Sequence, residues 1–236
     1  LAPGKPLPFV FDSGLSDGNL VSTEAAKALG IEPNETVPTD SGGTARIARV
    51  PKVRVGGAVL ENQPTAVVSM PEAVTSRPGR PERAGFLGAP LLRDAVLCLD
   101  YGEQRMRRFA RADFTAQGLQ KFPMPLRHGL PTIDVDIDGQ RATLVVDTGS
   151  NAAITLFPAF AALDGVARRY GGFPGGRAEA GAVTFPDGNG FHHVPLVVGA
   201  QRLDPAWRID GLVGSLILSQ LEPCLDRDGE AILWQP

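Results

Sequence analysis

Phe9-Val10-Phe11-Asp12-Ser13-Gly14 near one end and Leu144-Val145-Val146-Asp147-Thr148-Gly149 past the middle repeat one pattern: an apolar run broken by Asp, a hydroxyl residue and Gly. Each carboxylate therefore stands where a buried strand gives way to a turn, since Asp bonds its own backbone and Gly tolerates positive φ. Taken singly, such tripeptides are common turns. As a spaced pair they are the visible part of a longer repeat.

Asp12 and Asp147 lie 135 residues apart (147 − 12). At that offset Gly4 matches Gly139 of the turn Asp138-Gly139, and Gly30 matches Gly165. Ser22 is placed to cap a helix over 23–29 and Pro158 to open one over 159–163, with Gly30 and Gly165 as the left-handed residues that close them. Gly85-Phe86-Leu87-Gly88-Ala89-Pro90-Leu91-Leu92 resembles Gly211-Leu212-Val213-Gly214-Ser215-Leu216-Ile217-Leu218 at an offset of 126 (211 − 85). The same offset aligns Cys98-Leu99-Asp100 with Cys224-Leu225-Asp226. So long a period is a duplicated domain, not a solenoid.

The 236 residues thus divide into two lobes of roughly 110 each, a common domain size. We expect a first lobe over 1–112, a connection over 113–128, where Gly118, Pro123 and Pro125 interrupt any periodicity, and a second lobe over 129–236. A hydrophobic fraction of 43% with 28 Gly and 21 Pro predicts many short strands and tight turns, and few, short helices. A net charge of −3 without a sustained basic block argues against a nucleic-acid partner, and Arg105, Arg107, Arg108 and Arg111 read as a solvated strand end and linker. No apolar run is long enough to cross a bilayer, so no membrane span is expected in this chain.

Within lobe one, 49–55 and 58–68 read as strands joined at Gly56-Gly57, a hairpin signal. The glycine turn over 39–44 precedes them, and 70–83, rich in Pro and Arg, reads as an exposed loop. Lobe two opens with Thr132-Ile133-Asp134-Val135-Asp136-Ile137, a strand with no counterpart before Gly4, so lobe one is expected to lack its first strand, which would be removed, disordered or encoded upstream of Leu1. Asp134, Asp136 and Asp138 alternate with apolar residues, which reads as a half-buried strand rather than a calcium loop. His128, His192 and His193 lack zinc spacing and read as surface residues, and Trp207 and Trp234 as packing residues. No metal or cofactor is expected.

Phe11-Asp12-Ser13-Gly14 with Phe86-Leu87-Gly88, and Val146-Asp147-Thr148-Gly149 with Leu212-Val213-Gly214, resemble the motifs of retropepsin-like aspartic proteases, here as two lobes fused in one chain. The resemblance implies a mainly β fold of two acid-protease lobes related by a pseudo-twofold axis, with few short helices and an active site between them. It implies that Asp12 and Asp147 are catalytic, that Ser13, Gly14, Thr148, Gly149 and Ser150 support the acidic loops, and that a flap tip formed by Ser41, Gly42 and Gly43 closes over substrate, with 171–176 its weaker counterpart. Position 15 departs from the pattern, because Leu15 stands where the family usually has a small Ala or Ser; Leu15 would narrow a subsite or weaken activity. Cys98 and Cys224 hold equivalent positions, and both a disulfide between lobes and two free thiols fit that placement.

Aspartic proteases hydrolyse peptides without a covalent intermediate: of two adjacent carboxylates one is the base that activates water and the other the acid that protonates the carbonyl. Like charges this close share one proton, and both titration steps belong to the pair. The resemblance therefore implies an endopeptidase acting on an extended peptide or protein, plausibly as a monomer because the pseudo-dimer lies within one chain. A periplasmic or secreted location is favoured over a cytoplasmic one. The competing reading is a catalytically weak peptide-binding or regulatory protein that kept the fold, and a third is a structural domain whose acidic turns never meet.

Overall fold

The computed structural model describes residues 6–38, 43–76, 79, 82–170, 174–200 and 203–235, and the chain is mainly β. It divides into two compact units, Leu1–Leu91 and Leu92–Pro236.

The first unit runs β1 (Phe9–Phe11), β2 (Asn19–Ser22), α1 (Thr23–Leu29), β3 (Glu35–Pro38), β4 (Thr44–Val55), β5 (Ala58–Val68), α2 (Glu72–Thr75) and β6 (Gly85–Leu87). Its six strands form one sheet in the order β1-β6-β2-β5-β4-β3. Helix α1 starts as its sequence predicts. The Ser22 hydroxyl accepts the Ala25 amide at 3.1 Å, and Gly30, at φ 64°, ends the helix in the left-handed conformation that costs glycine nothing. The β4–β5 hairpin turns at Gly56-Gly57 with Val55 opposite Ala58. Within the expected exposed loop over 70–83 the chain forms α2, in which Thr75 is buried and its carbonyl accepts the Arg83 amide at 2.8 Å.

The second unit carries β7 (Ala95–Asp100), β8 (Arg105–Ala110), β9 (Gln120–Pro123), β10 (Leu126–Arg127), β11 (Leu130–Ile137), β12 (Gln140–Val146), β13 (Ile154–Leu156), α3 (Pro158–Ala161), α4 (Asp164–Tyr170), β14 (Arg177–Thr184), β15 (Gly190–Val198), β16 (Gly211–Val213), α5 (Ser215–Leu221), β17 (Cys224–Asp226) and β18 (Ala231–Trp234). Seven strands form a sheet in the order β10-β11-β12-β16-β13-β15-β14. Strand β11 buries Ile133, Val135 and Ile137 and leaves the intervening Asp134 and Asp136 half-buried, the alternation its sequence predicts. Asp138 and Gly139, both at positive φ (50° and 86°), turn it into β12.

The repeat is visible in the register. Phe9 faces Gly85 and Phe11 faces Leu87 in the parallel pair β1–β6, and Leu144 faces Gly211 and Val146 faces Val213 in β12–β16. Val21 opposes Gly85 as Leu156 opposes Gly211. One difference is that β12 is flanked by β11, whereas β1 is an edge strand among the described residues. Gly4 lies outside those residues. Gly165 does not close a helix as Gly30 does; the turn of Ala162 and Leu163 ends α3 early and Gly165 lies inside α4.

A further five-stranded sheet, β8-β7-β17-β18-β9, lies wholly within the second unit. Here the structure departs from the expected boundaries. Residues 92–112 pack with the second unit because β7 pairs with β17, and the expected connection over 113–128 supplies β9, which pairs with β18. Cys98 and Cys224 are register partners in β7 and β17 and form a disulfide. Trp234 is fully buried, stacked on Phe122 at 4.2 Å with its indole N–H donated to Asp187 at 2.8 Å.

Candidate active site

Strand β1 delivers Asp12, and β6 lays Phe86-Leu87-Gly88 alongside it. The Asp12 amide donates to the Leu87 carbonyl at 2.8 Å, the last bond of the parallel pair, and the chain then turns. Within the turn the Gly14 amide donates to Asp12 Oδ1 at 2.8 Å and the Leu15 amide to the Asp12 carbonyl at 3.3 Å. The Leu15 carbonyl accepts the Ala89 amide at 2.8 Å, so loop and motif are tied at both ends.

The second unit repeats this bond for bond. The Asp147 amide donates to Val213 at 3.0 Å, the Gly149 amide to Asp147 Oδ1 at 2.9 Å, the Ser150 amide to the Asp147 carbonyl at 3.3 Å, and the Ser215 amide to the Ser150 carbonyl at 2.9 Å. The Ser150 amide also reaches Asp147 Oδ1 at 3.1 Å, and the Ser215 hydroxyl donates to the Ser150 carbonyl at 2.7 Å. In each loop a glycine amide thus holds one carboxylate oxygen of the Asp and fixes the side chain.

The glycines that bracket each apolar motif are set by close approach. A Cβ on Gly85 would collide with the Leu20 carbonyl and one on Gly211 with the Thr155 carbonyl; Gly88 and Gly214 press in the same way on the Gly18 and Ala152 carbonyls. Leu15 and Ser150 flank Gly88 and Gly214 respectively, so the large and the small residue occupy equivalent places. Ser13 is completely buried, whereas Thr148, Gly14, Gly149 and both carboxylate residues are half-buried.

Of the other expected site residues, Ser41 and Gly42 lie outside the described residues; Gly43 is exposed just before β4, where Pro38 pairs with Thr44 across the β3–β4 hairpin. Residues 171–173 also lie outside, while Gly175 and Gly176 bond Val198 through its carbonyl (2.8 Å) and amide (2.9 Å). Among the described residues no group of three or more His, Cys, Asp or Glu could hold a metal ion.

Sequence reasoning missed two residues that position the motifs. Buried Asn19 accepts the Gly88 amide at 3.1 Å. Asp210, directly before Gly211, accepts the Thr143 amide at 2.8 Å, and burial pushes its carboxyl above the usual range. A polar residue adjoining a short apolar strand was the available signal in both cases.

Residues 2–91 match the aspartyl protease family, a span that includes Asp12-Ser13-Gly14 and Phe86-Leu87-Gly88 and ends before the second copy of either motif. No curated protein matches the chain. Among solved structures the chain is similar to the crystal structure of a retropepsin-like aspartic protease from Rickettsia conorii, at 19% identity over 49% of this chain and 90% of that chain, with a TM-score of 0.37. Residues 2–91, in which the first copy of each motif is seated as described, are thus similar to the aspartyl protease family.

Proposed function

We propose that the protein is an aspartic endopeptidase in which Asp12 and Asp147, one from each repeat, activate a water that attacks the peptide carbonyl. The observation that carries this reading is the bond-for-bond equivalence of the two acidic loops: each Asp amide is tied to its apolar motif and each Oδ1 is held by the following glycine amide. In this mechanism Gly14 and Gly149 orient the carboxylates, Ser13 and Thr148 hold the loops in register, Ser150 adds a second amide to Asp147, and the segment of Ser41, Gly42 and Gly43 covers the substrate. One carboxylate takes the proton of the water as the other donates to the carbonyl oxygen. The substrate is an extended peptide.

The test is cleavage of a denatured protein at acidic pH by the wild type, Asp12→Asn and Asp147→Asn. Both variants are expected to lose activity by at least about a thousandfold with unchanged circular dichroism, and a statine-containing transition-state analogue is expected to inhibit the wild type. Full activity in either variant removes that Asp from the mechanism. Leu15 favours one second reading, a peptide-binding protein with weak catalysis, because it sets a large apolar side chain where the other repeat has Ser150. Under that reading the wild type binds the analogue without cleaving, and Leu15→Ser gains activity.

A further inference from the structure

The β14–β15 hairpin turns through Pro186-Asp187-Gly188-Asn189, and Asn189 is the one asparagine of five in the chain that precedes a glycine. Asn189 and Gly190 are both exposed. The turn is set by Gly188, which lies at φ 84° and donates its amide to the Phe185 carbonyl at 2.9 Å. Asp187 then gathers three donors. Its Oδ1 accepts the Asn189 amide at 2.9 Å, and its Oδ2 accepts Asn189 Nδ2 at 2.7 Å and the indole N–H of buried Trp234 at 2.8 Å.

The same turn prepares the Asn189–Gly190 peptide for reaction. The Asn189 carbonyl accepts the Phe185 amide at 2.9 Å, which makes 185 and 189 a hydrogen-bonded pair. Thr184 and Gly190, the next pair in the register, are therefore a non-bonded one, and the Gly190 N–H turns away from β14. Because the Asn189 carbonyl and the Gly190 N–H belong to one peptide group, the bond from Phe185 draws charge towards that oxygen and makes the N–H more acidic. Glycine at 190 also leaves its nitrogen unshielded, whereas Asn19, Asn34, Asn62 and Asn151 precede Leu, Glu, Gln and Ala.

We propose that Asn189 is a site of spontaneous deamidation whose product is felt at Trp234. The Gly190 nitrogen gives up its proton and bonds to Asn189 Cγ; the bond from Cγ to the side-chain nitrogen breaks, and ammonia leaves with that proton. Water then opens the cyclic imide at either carbonyl and returns a hydrogen to the Gly190 nitrogen. The product is aspartate or, where the main chain is rerouted through Cγ, isoaspartate. Either one replaces a donor to Asp187 with a second carboxylate. Like charges so placed repel, and the carboxylate that holds the Trp234 indole is displaced.

The test is peptide mapping of the full chain after incubation at mildly alkaline pH, with isoaspartate scored by a methyltransferase specific for it. The mass gain of amide-to-acid conversion is expected at Asn189 before any other asparagine, together with an isoaspartate signal. Gly190→Ala, whose added methyl meets nothing closer than 3.8 Å, is expected to slow conversion while melting as the wild type does, and Asn189→Gln to abolish it at this position. Converted protein and Asn189→Asp are both expected to shift the Trp234 indole N–H resonance, which Trp234→Phe identifies by its loss. Earlier conversion at another asparagine, or conversion of Gly190→Ala at the wild-type rate, would overturn the site. An indole resonance unmoved in the converted protein would overturn its link to Trp234.

Discussion

Gly88 and Gly214 are held to glycine by what their backbone touches, whereas Gly30 is held by its own dihedral, and the two causes predict different penalties. A methyl at 88 or 214 meets a carbonyl oxygen of a neighbouring turn, which cannot retreat without disturbing the acidic loop, while the space around Gly30 is open at φ 64°. Gly88→Ala and Gly214→Ala are therefore expected to lose roughly 3 kcal/mol in urea unfolding, and Gly30→Ala about 1 kcal/mol; equal losses at all three would refute the contact argument. Asp138 gives a pH prediction. Burial pushes its carboxyl up, but the Tyr170 hydroxyl, the Ala182 and Gly181 amides and the Arg169 charge outweigh burial and hold it below the usual carboxylate range. A carboxyl depressed in the folded state binds its proton more weakly there than in the unfolded chain. Its stabilisation is present above the unfolded value near 4 and is lost as pH falls through the folded one. Tyr170 is the opposite case, pushed up to about 12 by burial and the Asp138 carboxylate; its contribution is complete below about 10 and lost as pH rises through 12. Asp138→Asn is expected to flatten the urea midpoint between pH 4 and 2.5, and a slope unchanged from wild type would reassign that limb.

Elements with a local cause could be read in advance. The Ser22 cap, the Gly30 stop, the Gly56-Gly57 hairpin and the Asp138-Gly139 turn each depend on residues within a few positions, and each is found where the sequence puts it. Strand β9 could not be read this way, because Gln120-Lys121-Phe122-Pro123 buries only Phe122 and owes its conformation to β18, more than a hundred residues later. The end of α3 was missed for a related reason: Gly165 looked like a stop, but glycine is tolerated inside a helix when the flanking residues favour it, and α4 runs through it. Trp234 is the side chain that holds the far end of the β9–β18 pair. It stacks on Phe122, meets the Phe185 ring edge-on at 5.9 Å and donates to Asp187. Trp234→Ala is expected to cost about 3 to 5 kcal/mol, read as a lower urea midpoint, and Trp234→Phe much less, since the ring contacts persist and only the indole bond is lost. A Phe variant as unstable as the Ala variant would move the weight to the Asp187 bond.

The acidic loops were legible because both repeats spell their support in contiguous residues, Asp-Ser-Gly with Phe-Leu-Gly and Asp-Thr-Gly with Leu-Val-Gly. The division of the whole chain was not, since motif spacing says which residues correspond but not which of them share a sheet. Residues 92–112 belong by repeat to the first half and by packing to the second unit, where β7 and β8 extend a sheet closed by β17, β18 and β9. The Cys98–Cys224 disulfide fastens that arrangement across 126 residues of sequence. A bridge closing so long a loop removes much unfolded-state freedom, and its loss is expected to cost about 2 to 5 kcal/mol, visible as a lower melting temperature on adding reductant and equally in Cys98→Ser. Two fragments separate the boundaries. A fragment of 92–236 retains the five-stranded sheet and both cysteines, and is expected to fold with a single cooperative transition that reductant lowers. One of 113–236 strips β7 and β8 from β17, exposes the edge that carries Cys224 and leaves that thiol unpaired, so it is expected to aggregate or melt without cooperativity. Equal stability of the two fragments would place the boundary where the repeat alone suggests it, near residue 112, and would make β7 and β8 an appendage of the second unit instead of part of its core.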